Sequence, residues 1–325
     1  MIHYRFTQSD QGACVRKLFI LLVALHAAHL HAEPLRIGVS VADLGNPFFA
    51  TLAEAIGDSA RALHPGEVAL EVRSSAYDLE RQVHQLDAFT QAGMDIIVLA
   101  AANSEAIGPA VRRAQQAGIV VAAVDIDAQG ADVTVTTDNV QAGEMTCDYM
   151  AERLGHTGRV AIINGAPVSS VTDRVNGCRT ALNRHPEIEL LSDDHNGGGT
   201  YSGGLEAMTY LISAYSDLDA VFAINDPSAI GAANAARLAG QSHLFIVAVD
   251  GSPEGIAALQ ESPALLVATA AQSPRQMAAT AIRESLGHLA AGGRQESQAI
   301  RLATQLITRE NAEHFDHWSN GSTSE

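Results

Sequence analysis

Short apolar runs alternate with amphipathic stretches along most of the chain. The runs are 36–41, 68–72, 95–100, 119–124, 133–137, 159–163, 220–224, 244–249 and 265–271. They are rich in β-branched residues and almost continuously apolar, which suits strands covered on both faces of a parallel sheet. The stretches between them have helical length. Leu79, Val83, Leu86 and Phe89 recur at helical spacing, as do Ile107, Ala110, Val111 and Ala114. Ser104 is placed to cap the start of this second helix and Gly118 to end it. Strand and helix in alternation predict an α/β fold with a doubly wound parallel sheet.

The rhythm breaks once. The run VTVTTDN (133–139) follows the strand at 119–124 with no helix between them. A strand that arrives without its helix predicts a crossing into a second lobe. The two halves echo each other weakly, as VAAVD (121–125) and VAVDG (247–251). No low-complexity linker separates them, so two α/β lobes joined by several strands, with a cleft between, are expected.

Composition narrows the function. The chain has 325 residues, 47% hydrophobic and 18% charged, which is a folded profile of about two domains' length. Acidic residues number 37 against 20 basic ones, a formal net charge of −17. Such a chain is a poor nucleic-acid binder, because that affinity comes from Lys and Arg neutralising phosphates. Residues 1–32 read as a cleavable secretory leader. Arg5, Arg16 and Lys17 precede the apolar run 18–25, and small residues follow it up to Ala32. The apolar run is too short to span a membrane. Export to the periplasm is therefore expected, and the remaining chain carries −19. It also has no lysine, since Lys17 is the only one. That excludes Schiff-base chemistry and a lysine-bearing phosphate loop.

Other motifs are weak. Cys147 and Cys178 remain after the leader, and an oxidising compartment permits a bridge between them. Two buried thiols are the alternative. Gly57-Asp58-Ser59 resembles a nucleophile motif but falls inside an amphipathic helix. The glycines at 197–199, 203 and 204 read as a flexible turn. His314 and His317 lack a frame of metal ligands. No cofactor and no metal site are expected.

Polar residues gather where strands end, which is where open parallel sheets bind ligands. Asp125 follows VVAAV, Asn225 and Asp226 follow AVFAI, Asp250 follows FIVAV, and Gln272 follows the run ending at Ala271. Carboxylates and amides of this kind pair with neighbouring hydroxyls of a sugar or polyol. The first strand end reads Asp43-Leu44-Gly45-Asn46-Pro47-Phe48-Phe49. Asn46 suits an N-cap and Pro47 the first helical position. Adjacent helical residues point about 100° apart, so one phenylalanine is expected to face the cleft and lie against a sugar ring.

With NPFF (46–49), Asp125, TDN (137–139), RVNGC (174–178), AVFAINDPSAIGA (220–232), VAVDGSPEG (247–255) and ATAAQSP (268–274), the chain resembles the ribose/galactose-type periplasmic solute-binding proteins of ABC importers. The resemblance covers about 35–311. It implies two α/β lobes joined by three crossover strands, closing on a solute by a hinge. The lobes would be 33–137 plus 273–300 and 138–272 plus 301–318, with 319–325 as a tail. It implies solute contacts from Asn46, Phe48, Phe49, Asp125, Arg174, Asn225, Asp250 and Gln272. Arg174 would donate a forked pair of hydrogen bonds. Two positions depart from the ribose pattern. Ile126 stands where ribose binders carry a guanidinium, and Gly199, with Tyr201 nearby, stands where they carry an aromatic wall. Losing a buried charged donor costs a matching ligand about 2–5 kcal/mol. A deoxy sugar, another pentose, a polyol or a small partly apolar solute is therefore expected in place of ribose. The implied partners are a small neutral solute and a membrane permease, with a chemoreceptor or sensor kinase as the alternative, and the implied state is a monomer. An exported α/β enzyme is the remaining rival, for which no activated nucleophile is visible.

Overall fold

The computed structural model describes residues 33–292, 296–315 and 318. The leader at 1–32, His317 and the tail at 319–325 lie outside the described residues. The chain runs β1 (Leu35–Val41), α1 (Pro47–Leu63), β2 (Val68–Ser74), α2 (Leu79–Gln91), β3 (Ile96–Leu99), α3 (Gly108–Gln116), β4 (Val120–Val124) and β5 (Val133–Thr137). It continues through α4 (Asn139–Arg153), β6 (Gly158–Asn164), α5 (Ser169–Leu182), β7 (Ile188–Asn196), α6 (Tyr201–Ala214), β8 (Ala220–Ala223), α7 (Asp226–Leu238), β9 (Phe245–Asp250), α8 (Pro253–Leu259) and β10 (Leu266–Ala271). It ends with α9 (Pro274–Ala290), β11 (Gln298–Leu302) and β12 (Leu306–Thr308).

Two six-stranded sheets result. Their orders are β11-β5-β4-β3-β1-β2 and β12-β10-β9-β8-β6-β7. All pairs are parallel except β10 with β12. The central strands are apolar throughout because helices cover both faces: β3 and β4 are wholly buried.

The chain passes between the sheets three times, after Thr137, Ala271 and Leu302. The crossings are tied together. Thr137 Oγ1 donates to Gln272 Oε1 (2.9 Å), Asp138 N to Leu302 O (2.8 Å), and Thr304 Oγ1 to Ala271 O (2.8 Å). Every residue of β11 pairs with β5. The third crossing thus follows Leu302, two residues past the boundary expected at 300/301.

Three local expectations change. Ser104 does not cap α3. The helix starts at Gly108 with Pro109 in its first turn, and Asn103 Oδ1 caps the turn before it, accepting from Glu105 N and Ala106 N. Gly203 and Gly204 are not in a flexible turn but in the first turn of α6. A Cβ on Gly204 would lie 2.1 Å from Ser228 O, so the glycine lets α6 and α7 touch by backbone. The cysteines form a disulfide between α4 and α5. The same seam holds Gly143 and Gly177, whose added Cβ atoms would come within 2.0 Å of Arg174 O and 2.2 Å of Val140 O.

Candidate functional site

All eight residues expected to touch solute line one chamber between the lobes. Each arrives there for a local reason. Asn46 is the N-cap of α1, with Oδ1 accepting from Phe48 N (3.0 Å). The cap leaves the amide Nδ2 as a donor. Phe48 and Phe49 occupy the first turn of α1, next to the cap residue Asn46 that also lines the chamber. Both line it, rather than one alone, and their rings pack edge to face at 5.4 Å.

Asp125 directly follows β4 and Asp250 ends β9, with φ of 62° and 141°. Non-glycine residues rarely hold such values, and both residues line the chamber. Asp250 Oδ1 accepts from Gln272 Nε2 (2.8 Å), and Arg174 Nη1 stands 3.6 Å from it. Arg174 also donates from Nε to Asn139 Oδ1 (2.8 Å) and from Nη1 to Ile224 O (2.9 Å). Two of its five N–H donors are thus taken by protein acceptors, and those of Nη2 are left for a ligand. Asn225 caps α7 through Oδ1 and donates Nδ2 to Gly199 O (2.9 Å). Gln272 bridges Asp250 to Thr137, so one amide connects a carboxylate to two crossings.

Asp125 is different. Its Oδ1 is buried with no hydrogen-bond partner among the described residues. Burial pushes its carboxyl up from 3.8 to about 7, opposed by Arg174 and reinforced by Asp250 and Asp127. Burial also raises Asp250, again opposed by Arg174. Asp226, behind Asp250, is fully buried and raised by burial and by Asp250. It accepts from Ser252 N, Ser252 Oγ and Thr269 Oγ1, which fixes the start of α8 against β10.

The chamber's walls include residues that strand-end reasoning missed. Tyr77 (φ 57°) arrives from the loop after β2, and Ser170 and Val171 from the first turn of α5. Both segments follow strand ends, β2 and β6, which is the signal that would have found them. Ile126 and Gly199 are wall residues as well. Tyr201 is not. It lies in an outer groove and does not replace a wall of the chamber. The chamber's volume is about 30 Å³, room for on the order of two waters. A sugar enters only if the lobes part. Among the described residues no group of three or more His, Cys, Asp or Glu is arranged to hold a metal.

The chain is similar to known proteins over most of its length. A family model described as the periplasmic binding protein domain matches residues 37–294. The ribose import binding protein RbsB of Salmonella typhimurium is 32% identical over 249 residues, 76% of this chain and 82% of that protein. A xylitol-binding protein of Mycolicibacterium smegmatis is 29% identical over 235 residues, 71% of this chain and 66% of that protein. The solved structure of a Caulobacter myo-inositol binding protein with bound myo-inositol matches with a TM-score of 0.78 at 25% identity, over 86% of this chain and 95% of that one. Two parallel-sheet lobes, three crossings and a family match across both lobes lead to one assignment: the chain belongs to the periplasmic binding protein family.

Proposed function

We propose that the protein is the solute-binding component of an ABC importer and takes a small neutral sugar or polyol into the interlobe chamber. The observation that carries this reading is Asp125 Oδ1, buried and unpaired beside Arg174 and Asp250 of the other lobe. A ligand hydroxyl supplies the missing donor. The same hydroxyl-rich solute bridges groups of both lobes, so it favours the closed arrangement over the open one. The relatives named for ribose and xylitol, and the neighbour holding myo-inositol, support a polyhydroxylated ligand. Ile126 offers no hydrogen bond next to Asp125, which disfavours ribose relative to a sugar with fewer acceptor oxygens.

In this reading Asn46, Phe48, Phe49, Asp125, Arg174, Asn225, Asp250 and Gln272 contact the solute. The chain is exported behind its leader, acts as a monomer and docks on a membrane permease when closed. No chemical step is involved. A thermal-shift screen against pentoses, hexoses, deoxy sugars and polyols tests it. At least one compound should raise Tm, and Asp125→Ala and Asp250→Ala should each abolish the rise while remaining folded. Retention of the full rise in both variants would place the site elsewhere.

A further inference from the structure

Outside the chamber lies a groove of about 330 Å³, roughly ten times the chamber's volume. The two spaces share Asn46, Gly199 and Asp250. At residue 199 no side chain stands between them. Gly199 has φ 68°, and a Cβ built there would lie 3.3 Å from Asn225 Nδ2. Any other residue would be strained and would crowd the passage.

The groove differs in character from the chamber. Pro47 and Trp318 form one part of its wall, and Tyr201, Pro227 and Ile230 another. Trp318 is buried, whereas Tyr201 is 46% exposed to the groove and solvent. The Tyr201 hydroxyl accepts from Asn234 Nδ2 at 2.7 Å. Trp318 is 6% exposed, packs on Phe48 with ring centroids 5.6 Å apart, and donates Nε1–H to Asp250 O at 3.2 Å. Among the described residues of its lining the charged groups are Asp43, Asp250 and Glu254, and none is basic. An anionic substituent would be repelled, whereas a neutral ring finds flat apolar surfaces.

We propose that this groove is a second subsite and that the natural ligand is a glycoside. Its polyhydroxylated ring occupies the chamber, and its neutral, apolar or ring-shaped aglycone lies on Tyr201, Pro227 and Ile230. Polar groups that converge at one end of a site and apolar surface at the other fix the orientation of such a molecule. The inference rests on the sugar reading of the chamber.

Calorimetric titration of the purified protein with D-ribose, D-xylose, D-galactose and D-allose, each against its phenyl glycoside, provides the test. In at least one pair the phenyl glycoside should bind about tenfold more tightly, as expected for burial of part of an apolar ring. Tyr201→Ala and Ile230→Ser should each reduce that preference to within about threefold and leave the parent sugar's affinity unchanged. Parent sugars that bind as tightly as their glycosides, or a preference that survives both variants, would overturn the subsite while leaving the chamber intact. Binding of neither set, where the thermal-shift screen has found a sugar or polyol ligand, would overturn the subsite alone; failure of that screen as well would overturn the sugar reading with it.

Discussion

Asp125 concentrates the chemistry of the site in one side chain. Burial lifts its carboxyl from 3.8 to about 7. Between those values the folded chain holds a proton that the unfolded chain has released. Stability contributed by this group therefore falls as pH rises through that window. Asp226 and Asp250, also raised by burial, act in the same direction. Without ligand, Tm should decline from about pH 4 to about pH 7 and level off above it. Asp125→Asn should melt higher than wild type at the upper end and show a shallower decline in differential scanning calorimetry. An unchanged slope would mean the carboxylate is already compensated. The carboxylates and amides were legible as polar residues after apolar runs. The unpaired oxygen was not, because it depends on what the opposite lobe withholds from Asp125. Tyr77 was missed although it lies three residues past the end of β2, because the loop that carries it has no periodic pattern to draw attention to that strand end.

At the scale of elements, the α4–α5 seam sets the position of Arg174. Gly143, Gly177 and the disulfide all lie on it, and Arg174 is one turn from Gly177 on α5. Gly177→Ala places a Cβ 2.2 Å from Val140 O, so one helix must shift. Overpacking of this kind costs about 1–3 kcal/mol. Chemical denaturation should register that loss, and ligand affinity should fall with it, since Arg174 moves with α5. Replacement of both cysteines by serine removes a link across a separation of 31 residues. A loop of that length corresponds to about 3–4 kcal/mol, and the double variant should show a lower denaturant midpoint under non-reducing conditions. A midpoint equal to that of wild type would show that the glycine seam suffices.

The elements themselves were readable in proportion to their burial. β3 and β4 are continuous apolar runs because two layers of helix cover them. β7, β11 and β12 were missed. β7 ends in SDDHN at a sheet edge, and β11 is the half-exposed QAIRL at another. Edge strands carry polar residues that blunt their open hydrogen bonds, and the apolar signal disappears with them.

For the whole molecule, the break at 133–139 foretold two lobes, and the sheets show them. The space between the lobes was only half legible. Eight wall residues followed from strand ends and resemblance, but the outer groove is lined by residues as far apart in sequence as Pro47, Tyr201, Pro227 and Trp318, which no single segment encodes. Trp318 stands at this junction, against Phe48 of one lobe and Asp250 of the other. It is also the only tryptophan in the chain. The protein therefore carries a natural fluorophore at the point where the lobes meet, with no second indole to obscure it. Emission excited in the indole band should shift on titration with a binding sugar, and Trp318→Phe should silence the response while binding persists by calorimetry. In a stopped-flow instrument the same signal would time closure itself, with no label attached.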